Sequence, residues 1–357
     1  MRTKNYLVAI KTRDAELRCF KNLDISLKGN LLPLYELTKS RKTTKTPDGD
    51  INRRMKQIAE IQSNEPFILD LCTDEKYVNP QIENLLNPRN GFLDWQYFLF
   101  ENYRALNIIP MVHIFEDDEG VVPEVTEFVK KACEHKDLIA VRLPFDLDES
   151  DYQKHVSSIT NSLLNGTKLI IILDAGYIRD LALNDIESLS GSFIEACGSL
   201  SRFSASIQDI YMLSTSFPSS PATAGKEDAE GQFQYFDEDL FKRIRQEYPI
   251  KYGDYGSINT QQIEMKGGTF VPRIDIPIFE DNQYQFIYKR FRRDDGSYIR
   301  CAIQMLSDNR YQSLQSWPDD EIELAAAGNP TGISPSYWIS IRMNYYIHSK
   351  LSLHEQD

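Results

Sequence analysis

Short apolar runs alternate with amphipathic stretches along most of the chain, from residue 6 to residue 256. The first six runs are Tyr6–Thr12, Leu31–Thr38, Pro66–Cys72, Ile108–Phe115, Leu138–Pro144 and Lys168–Asp174. Each is strand-length and rich in β-branched or bulky residues. Runs that are apolar on both faces belong to sheets covered on both sides. Between them, residues 50–64, 91–106, 121–136, 150–165 and 184–200 carry apolar residues at helical spacing. Within Asp94–Tyr103, for example, Trp95, Phe98 and Leu99 form a buried face with Asn102 at its polar edge. Asp209–Ser216 and Ile250–Gly256 supply a seventh and an eighth run. The segment 218–249 between them reads as a polar loop (Ser219, Ser220, Pro221, Gly225) followed by a helix near Phe236–Gln246. Eight strands with helical crossovers over about 250 residues predict an α/β fold, a closed (β/α)8 TIM-like barrel over residues 1–262. An open, doubly wound sheet is the alternative. Beyond residue 260 the rhythm breaks at Gly267-Gly268 and Pro272. A strand over Tyr284–Phe291, a helix over Tyr298–Leu306, a loop over Ala325–Pro335 and a helix over Ser336–Leu351 predict an α+β extension, residues 263–357, packed on the barrel. In the last helix Trp338, Arg342 and Tyr345 share one face, flanked by Tyr346. That stripe is read as the packing face, with a partner-binding face as the alternative.

Side chains alternate faces along a strand with period two. Parity therefore selects what points into the barrel: Leu7, Ala9 and Lys11; Leu32, Leu34 and Glu36; Ile68 and Asp70; Ile109, Met111 and His113; Ala140 and Arg142; Ile170, Ile172 and Asp174; Met212, Ser214 and Ser216; Tyr252 and Asp254. Apolar residues are followed by a polar one at the C-terminal end, the end where such barrels carry their sites. The expected ring is Lys11, Glu36, Asp70, His113, Arg142, Asp174, Ser216 and Asp254. As a ligand pocket it has carboxylates, Glu36, Asp70, Asp174 and Asp254, suited to a divalent metal such as Mg²⁺ or Mn²⁺, or to acid–base work. As a structural feature it is a self-neutralising ion-pair network.

Charge narrows the partners. The formal net charge is −13, from 53 acidic and 40 basic residues. Such a surface disfavours nucleic acid and suits a basic partner. The strongest basic cluster is Lys289, Arg290, Arg292 and Arg293, an anion or partner clamp or else the charged edge of a strand. Lys39–Lys45 is a second, looser basic segment, read as an anion-binding or simply solvated loop. Five scattered cysteines without a CxxC pair, together with the lack of a signal-like N-terminus, point to reduced thiols and a cytoplasmic location. Cys72 is read as core. His135, His155 and His348 are read as surface residues. No apolar stretch approaches the roughly 20 residues of a membrane span. GxSxG, HExxH, Walker A and GxGxxG motifs are absent from the sequence.

Several short motifs, in order, resemble those of the phage beta protein family. They are Tyr6-Leu-Val-Ala-Ile-Lys11 with Arg13, Glu16 and Leu17, Leu32-Pro-Leu-Tyr-Glu36, Ser216-Phe-Pro218, Gly253-Asp-Tyr-Gly256, Tyr288-Lys-Arg290 and the spacing Trp338…Asn344. The resemblance spans nearly the whole chain. It implies a role in a phage-exclusion operon of a temperate satellite phage, where the protein neutralises a host-killing toxin encoded beside it. The acidic surface would suit a basic toxin. The family's final helix often carries a His-His pair after the Asn; here Tyr345 and Tyr346 stand in those positions, which weakens a His-dependent catalytic reading. Residues and resemblance leave three readings open: a binding module for a toxin or other protein of the same operon, a metal-assisted phosphodiester hydrolase, and a small-ligand sensor.

Overall fold

The computed structural model describes residues 4–114, 122–261, 270–280 and 282–354. The strands, in chain order, are β1 (Tyr6–Lys11), β2 (Leu31–Leu37), β3 (Phe67–Leu71), β4 (Ile108–Val112), β5 (Leu138–Pro144), β6 (Lys168–Tyr177), β7 (Ile207–Thr215), β8 (Glu230–Tyr235), β9 (Tyr252–Asp254), β10 (Arg273–Glu280) and β11 (Gln283–Arg290). β1 to β7 and β9 close into an eight-stranded parallel barrel, sealed where β9 pairs with β1. The fold is the expected (β/α)8 barrel, and the open sheet is set aside.

Two of the crossover helices start on a side-chain cap. Asp50 accepts from the Asn52 amide (2.9 Å) at the head of Ile51–Gln62. Asn79 accepts from the Ile82 amide (3.1 Å), with Pro80 at the first helical position of Pro80–Leu85. Such caps satisfy amides that the helix itself leaves unpaired. The barrel lumen is filled rather than hollow. Leu7, Ala9, Leu32, Leu34, Ile68, Ile109, Met111, Ala140, Ile170, Ile172, Tyr211 and Leu213 form one buried cluster. Alternate residues such as Tyr6, Val8, Tyr35, Leu69, Val141 and Ile171 face the helices in a larger outer cluster.

Two strands depart from the expected parity. In β7 the lumen receives Tyr211 and Leu213, while Met212 joins the outer cluster. Ser214 and Ser216 consequently lie on the outer side, where both hydroxyls donate to Asp237 (2.5 Å each). In β9, Gly253 lies against the lumen-side neighbours: a Cβ there would come within 2.4 Å of the Met212 carbonyl oxygen. Tyr252 and Asp254 then point outward, and Tyr255 turns in. Bulky residues on successive positions of β7 leave both of its faces apolar, and in β9 Gly253 has no side chain to mark the lumen side, so period two gave no unique face. A one-residue slip exchanges the two sides of a strand, and β7 also takes register shifts against β6.

The C-terminal part is built on a three-stranded antiparallel sheet, β10-β11-β8. Its third strand comes from the segment between β7 and helix Asp237–Glu247, inside the region expected to be a loop. β8 therefore ties the extension into a barrel connection. The boundary expected at 262/263 and the Gly267-Gly268 break lie outside the described residues. β10 and helix Trp317–Ala326 are elements the sequence pattern did not reveal. The expected loop Ala325–Pro335 begins at the end of that helix and runs up to the final one. One face of the sheet packs on helices Ser297–Leu306, Trp317–Ala326 and Pro335–His354 through Ile274, Ile276, Ile287, Met305, Ile322 and Ile341. The stripe on the final helix is buried, as its packing reading requires. Trp338 stacks on Tyr298 at 4.8 Å, and Arg342 donates to Asp275 (3.1 Å) and to the Ser257 carbonyl (3.1 Å).

The final helix is anchored to the barrel wall by Asp254. Its Oδ1 accepts from Tyr6 (2.9 Å) and the Gly256 amide (2.8 Å). Its Oδ2 accepts from Tyr252 (2.9 Å) and Tyr346 (2.5 Å). Lys350, fully buried, pairs with Glu238 and lies 3.8 Å from the Tyr252 ring centroid. Burial raises the Asp254 carboxyl to about 6, against the pull of Lys350 and the Tyr346 hydroxyl. A charge-assisted hydrogen bond contributes about 1.5–3 kcal/mol. Tyr346→Phe is therefore expected to lower unfolding free energy by roughly that amount in urea titration near neutral pH. Asp254→Ala removes the acceptor shared by three buried tyrosine hydroxyls, and its cost is expected to exceed that of Tyr346→Phe by at least about 1 kcal/mol.

Candidate functional site: the C-terminal rim of the barrel

Six of the expected rim residues come from β1 to β6, one from each strand or the residue just past it. Register explains the meeting: Lys11 is aligned with Glu36, Glu36 with Asp70, and Arg142 with Ile172, two residues before Asp174. The guanidinium of Arg142 lies at the centre. Its Nη1 donates to Glu36 (2.5 Å) and Asp70 (3.2 Å), and its Nε to Asp174 (2.8 Å). Its Nη2 donates to the Tyr255 hydroxyl (2.7 Å), which donates in turn to Asp174 (2.7 Å). Lys11 completes the arc. Its Nζ lies 3.2 Å from Glu36, 3.4 Å from the Cys72 sulfur and 3.8 Å from Asp74.

His113 sits between this network and the wall. Its Nδ1 is 3.9 Å from Asp70, and its ring packs beside Trp95 and Phe92 at 5.6 and 6.1 Å. Its Nε2 is buried and, among the described residues, has no hydrogen-bond partner. An unpaired polar atom of this kind costs about 1–3 kcal/mol unless something meets it.

Electrostatics divides the two adjacent carboxylates. Burial opposes ionisation of Glu36, but Arg142 and Lys11 outweigh it and hold the group at about 2. Burial raises Asp70, Arg142 pulls it back and Glu36 raises it again, leaving it at about 6. Burial lowers His113 to about 4. Burial would depress the Arg142 guanidinium, yet Asp174, Tyr255, Glu36 and Asp70 together raise it well above its ordinary value. At neutral pH the rim therefore holds a neutral imidazole beside a fixed cation and its carboxylates. Neighbouring groups with divergent pKa values have the form of an acid–base pair.

The remaining expectations separate from this cluster. Ser216 and Asp254 belong to the outer wall, for the parity reason given above. The four-carboxylate set Glu36, Asp70, Asp174 and Asp254 is thus not assembled, and Arg142 occupies the space among the first three. Among the described residues no group of three or more His, Cys, Asp or Glu side chains is placed to hold a metal ion. Lys289 is buried between Glu230 (2.7 Å) and Asp308 (3.0 Å), and Arg290 pairs with Asp228. Arg292 and Arg293 are exposed beside them. That basic run is therefore half internal pairing and half open surface. Tyr255 is a rim residue the sequence reading missed, and Cys72, read as core, is core. Tyr255 follows from the shifted parity of β9, whereas Cys72 is buried in the wall and is reached by the flexible Lys11 stem.

Fold and rim together define the class: a (β/α)8 barrel whose C-terminal mouth is closed over by an arginine-centred ion network, with an α+β extension on its wall. Comparison with known proteins gives the family. The Beta protein family model matches residues 6–352, and the chain belongs to that family. It is 30% identical over 356 residues to Protein beta of Enterobacteria phage P4, covering 98% of this chain and 94% of the relative. No solved structure matches the chain. Among the described residues no helix is long and apolar enough to cross a membrane.

The pH dependence of the rim follows from its shifts. A carboxyl raised in the folded state contributes stability that is present below its ordinary pKa and lost as pH rises through the folded value. For Asp70 that window runs from about 3.8 to about 6, and at most about 3 kcal/mol is involved. Glu36 has the opposite sign: its contribution is present above about 4.5 and lost as pH falls toward about 2. Asp70→Asn is therefore expected to match the parent protein near the acid end of the Asp70 window and to gain relative to it by neutral pH. Urea titrations across the window check this, and a constant difference between the two proteins would refute it.

Proposed function

We propose that this chain is the neutralising component of a phage-exclusion system, and that it binds a host-killing protein encoded in the same operon. Membership of the Beta protein family over residues 6–352 is the observation that carries this reading. The acidic surplus, 53 residues against 40, supports a basic partner, because complementary charge speeds and orients association. The rim supports binding over metal-assisted hydrolysis. Its carboxylates are engaged by Arg142 and Lys11, and a divalent ion would have to displace the guanidinium. Under this reading the rim network is structural and the partner meets the outer surface, in the cytoplasm.

A second reading rests on His113. A buried Nε2 without a partner among the described residues, next to Asp70, is what a small-ligand site presents before its ligand arrives. Under that reading the mouth senses or turns over a small molecule.

Co-expression with the neighbouring killer gene separates the two. Asp70→Asn and Asp174→Asn are expected to retain rescue of growth, and the two proteins to co-purify. Exposed acidic pairs, Glu149/Asp151 and Asp320/Glu323, are then changed to lysine in turn. At least one pair, or an equivalent acidic block elsewhere on the surface, is expected to lose both rescue and complex. Loss of rescue in folded Asp70→Asn or Asp174→Asn, with no complex formed by the parent protein, would overturn the binding reading in favour of the mouth.

A further inference from the structure

Outside the barrel wall, a cavity of about 520 Å³ opens where helices Asp14–Lys21 and Ile51–Gln62 meet the first turns of Trp317–Ala326 and Pro335–His354. That volume lies within the range of about 300–1,000 Å³ typical of small-molecule sites. Three cations, Arg18, Lys21 and Lys28, and two aromatic rings, Trp317 and Tyr337, line it. Two carboxylates also reach it. Asp14 is already paired with Arg54 (2.8 Å), and Glu60 is exposed. A third carboxylate, buried Glu321, accepts from Trp317 Nε1 behind the rings (3.1 Å); with Asp14 paired to Arg54, three cations face Glu60 and Glu321, a local cationic surplus on a chain whose net charge is −13.

The cations are positioned rather than merely nearby. Arg18 donates to the Ser336 carbonyl (3.3 Å), and its guanidinium lies 5.2 Å from the Tyr337 ring centroid. Lys28 is half-buried and donates to the Ile61 carbonyl (3.3 Å). Burial lowers its pKa, and among the described residues no carboxylate offsets it. A partly dehydrated cation without a counter-ion attracts an anion more strongly than a solvated one. The Pro335–His354 helix has no acidic residue in its first turn, so the positive end of its dipole adds to the field. The Trp317 and Tyr337 rings stand nearly perpendicular, 6.2 Å apart. A flat ring entering the cavity meets one face-on and the other edge-on, both favourable for aromatic groups.

We infer that this cavity binds a phosphorylated aromatic ligand, a nucleoside monophosphate, with the base against Trp317 and Tyr337 and the phosphate held by Arg18 and Lys28. This inference is independent of the proposed partner and of the barrel rim.

Tryptophan fluorescence of the full chain reads it. Trp95 and Trp338 are buried, so Trp317 is the tryptophan a stacked base quenches. AMP, GMP and UMP are titrated, with adenosine and inorganic phosphate as single-part probes. Saturable quenching by at least one nucleotide is expected, with adenosine and phosphate each at least about tenfold weaker, since each forfeits one half of the site. The double variant Arg18→Gln, Lys28→Gln is expected to lose about tenfold or more in affinity while keeping its circular dichroism and thermal midpoint. Trp317→Phe should abolish the optical signal, with nucleotide retention in equilibrium dialysis weakened severalfold. Absence of saturable binding by all three nucleotides, indifference to the double variant, or phosphate binding as tightly as the nucleotides would each overturn the inference.

Discussion

The guanidinium of Arg142 decides what the barrel mouth is. Three carboxylates converge there from separate strands, and without a cation among them their mutual repulsion would open the rim. Arg142 contacts all three and the Tyr255 hydroxyl as well, so its position fixes the tips of β2, β3, β5 and β6 relative to one another. The planar fork of arginine suits this task, because a lysine ammonium has neither the reach nor the number of directed donors. The cost is that the guanidinium fills the place where a carboxylate-bound metal would otherwise sit. What Arg142 leaves unengaged is the Oδ1 edge of Asp70, which faces the His113 ring.

A second buried acid plays the matching role on the outer wall. Asp254 gathers tyrosines from β1, β9 and the final helix, and Lys350 with Glu238 closes the cluster. Arg142 and Asp254 lie near opposite faces of the same wall. One holds the strand tips together from within, and the other holds the extension on from outside. Tyr346 is central to the second task. Its hydroxyl supplies a neutral donor to the buried carboxylate.

The barrel was legible in the chain because its physics is periodic. Continuous apolar runs separated by amphipathic ones leave few alternatives to a sheet covered on both faces, and β1 to β6 each have one unambiguous polar residue after the apolar ones. Parity therefore located Lys11, Glu36, Asp70, His113, Arg142 and Asp174 correctly. It failed in β7, where Tyr211-Met212-Leu213 offers bulky groups on both sides, and in β9, where Gly253 leaves the lumen side of Tyr252-Gly253-Asp254 without a side chain. There the deciding factor is non-local: the closeness of Met212 to Gly253 and the partners Asp237 and Tyr346, distant in sequence, that receive the outward polar groups. β8 escaped notice for a related reason. Glu230–Tyr235 alternates polar and apolar residues weakly, and becomes a strand because β11, some 50 residues later, pairs with it.

The extension changes what an outer surface of the barrel can do. A bare (β/α)8 barrel presents helices to solvent, and its grooves are shallow. Here the first turns of two C-terminal helices are laid beside the helices that follow β1 and β2, and Trp317 and Tyr337 roof a gap whose floor carries Arg18 and Lys28. The rings come from the extension and the cations from the barrel. Neither part holds both halves, so the cavity exists only when the Asp254 cluster keeps the final helix seated. A ligand there would stabilise the docked arrangement by mass action, linking occupancy of the outer cavity to the grip of the extension on the wall, and leaving the rim on the far side of that wall untouched.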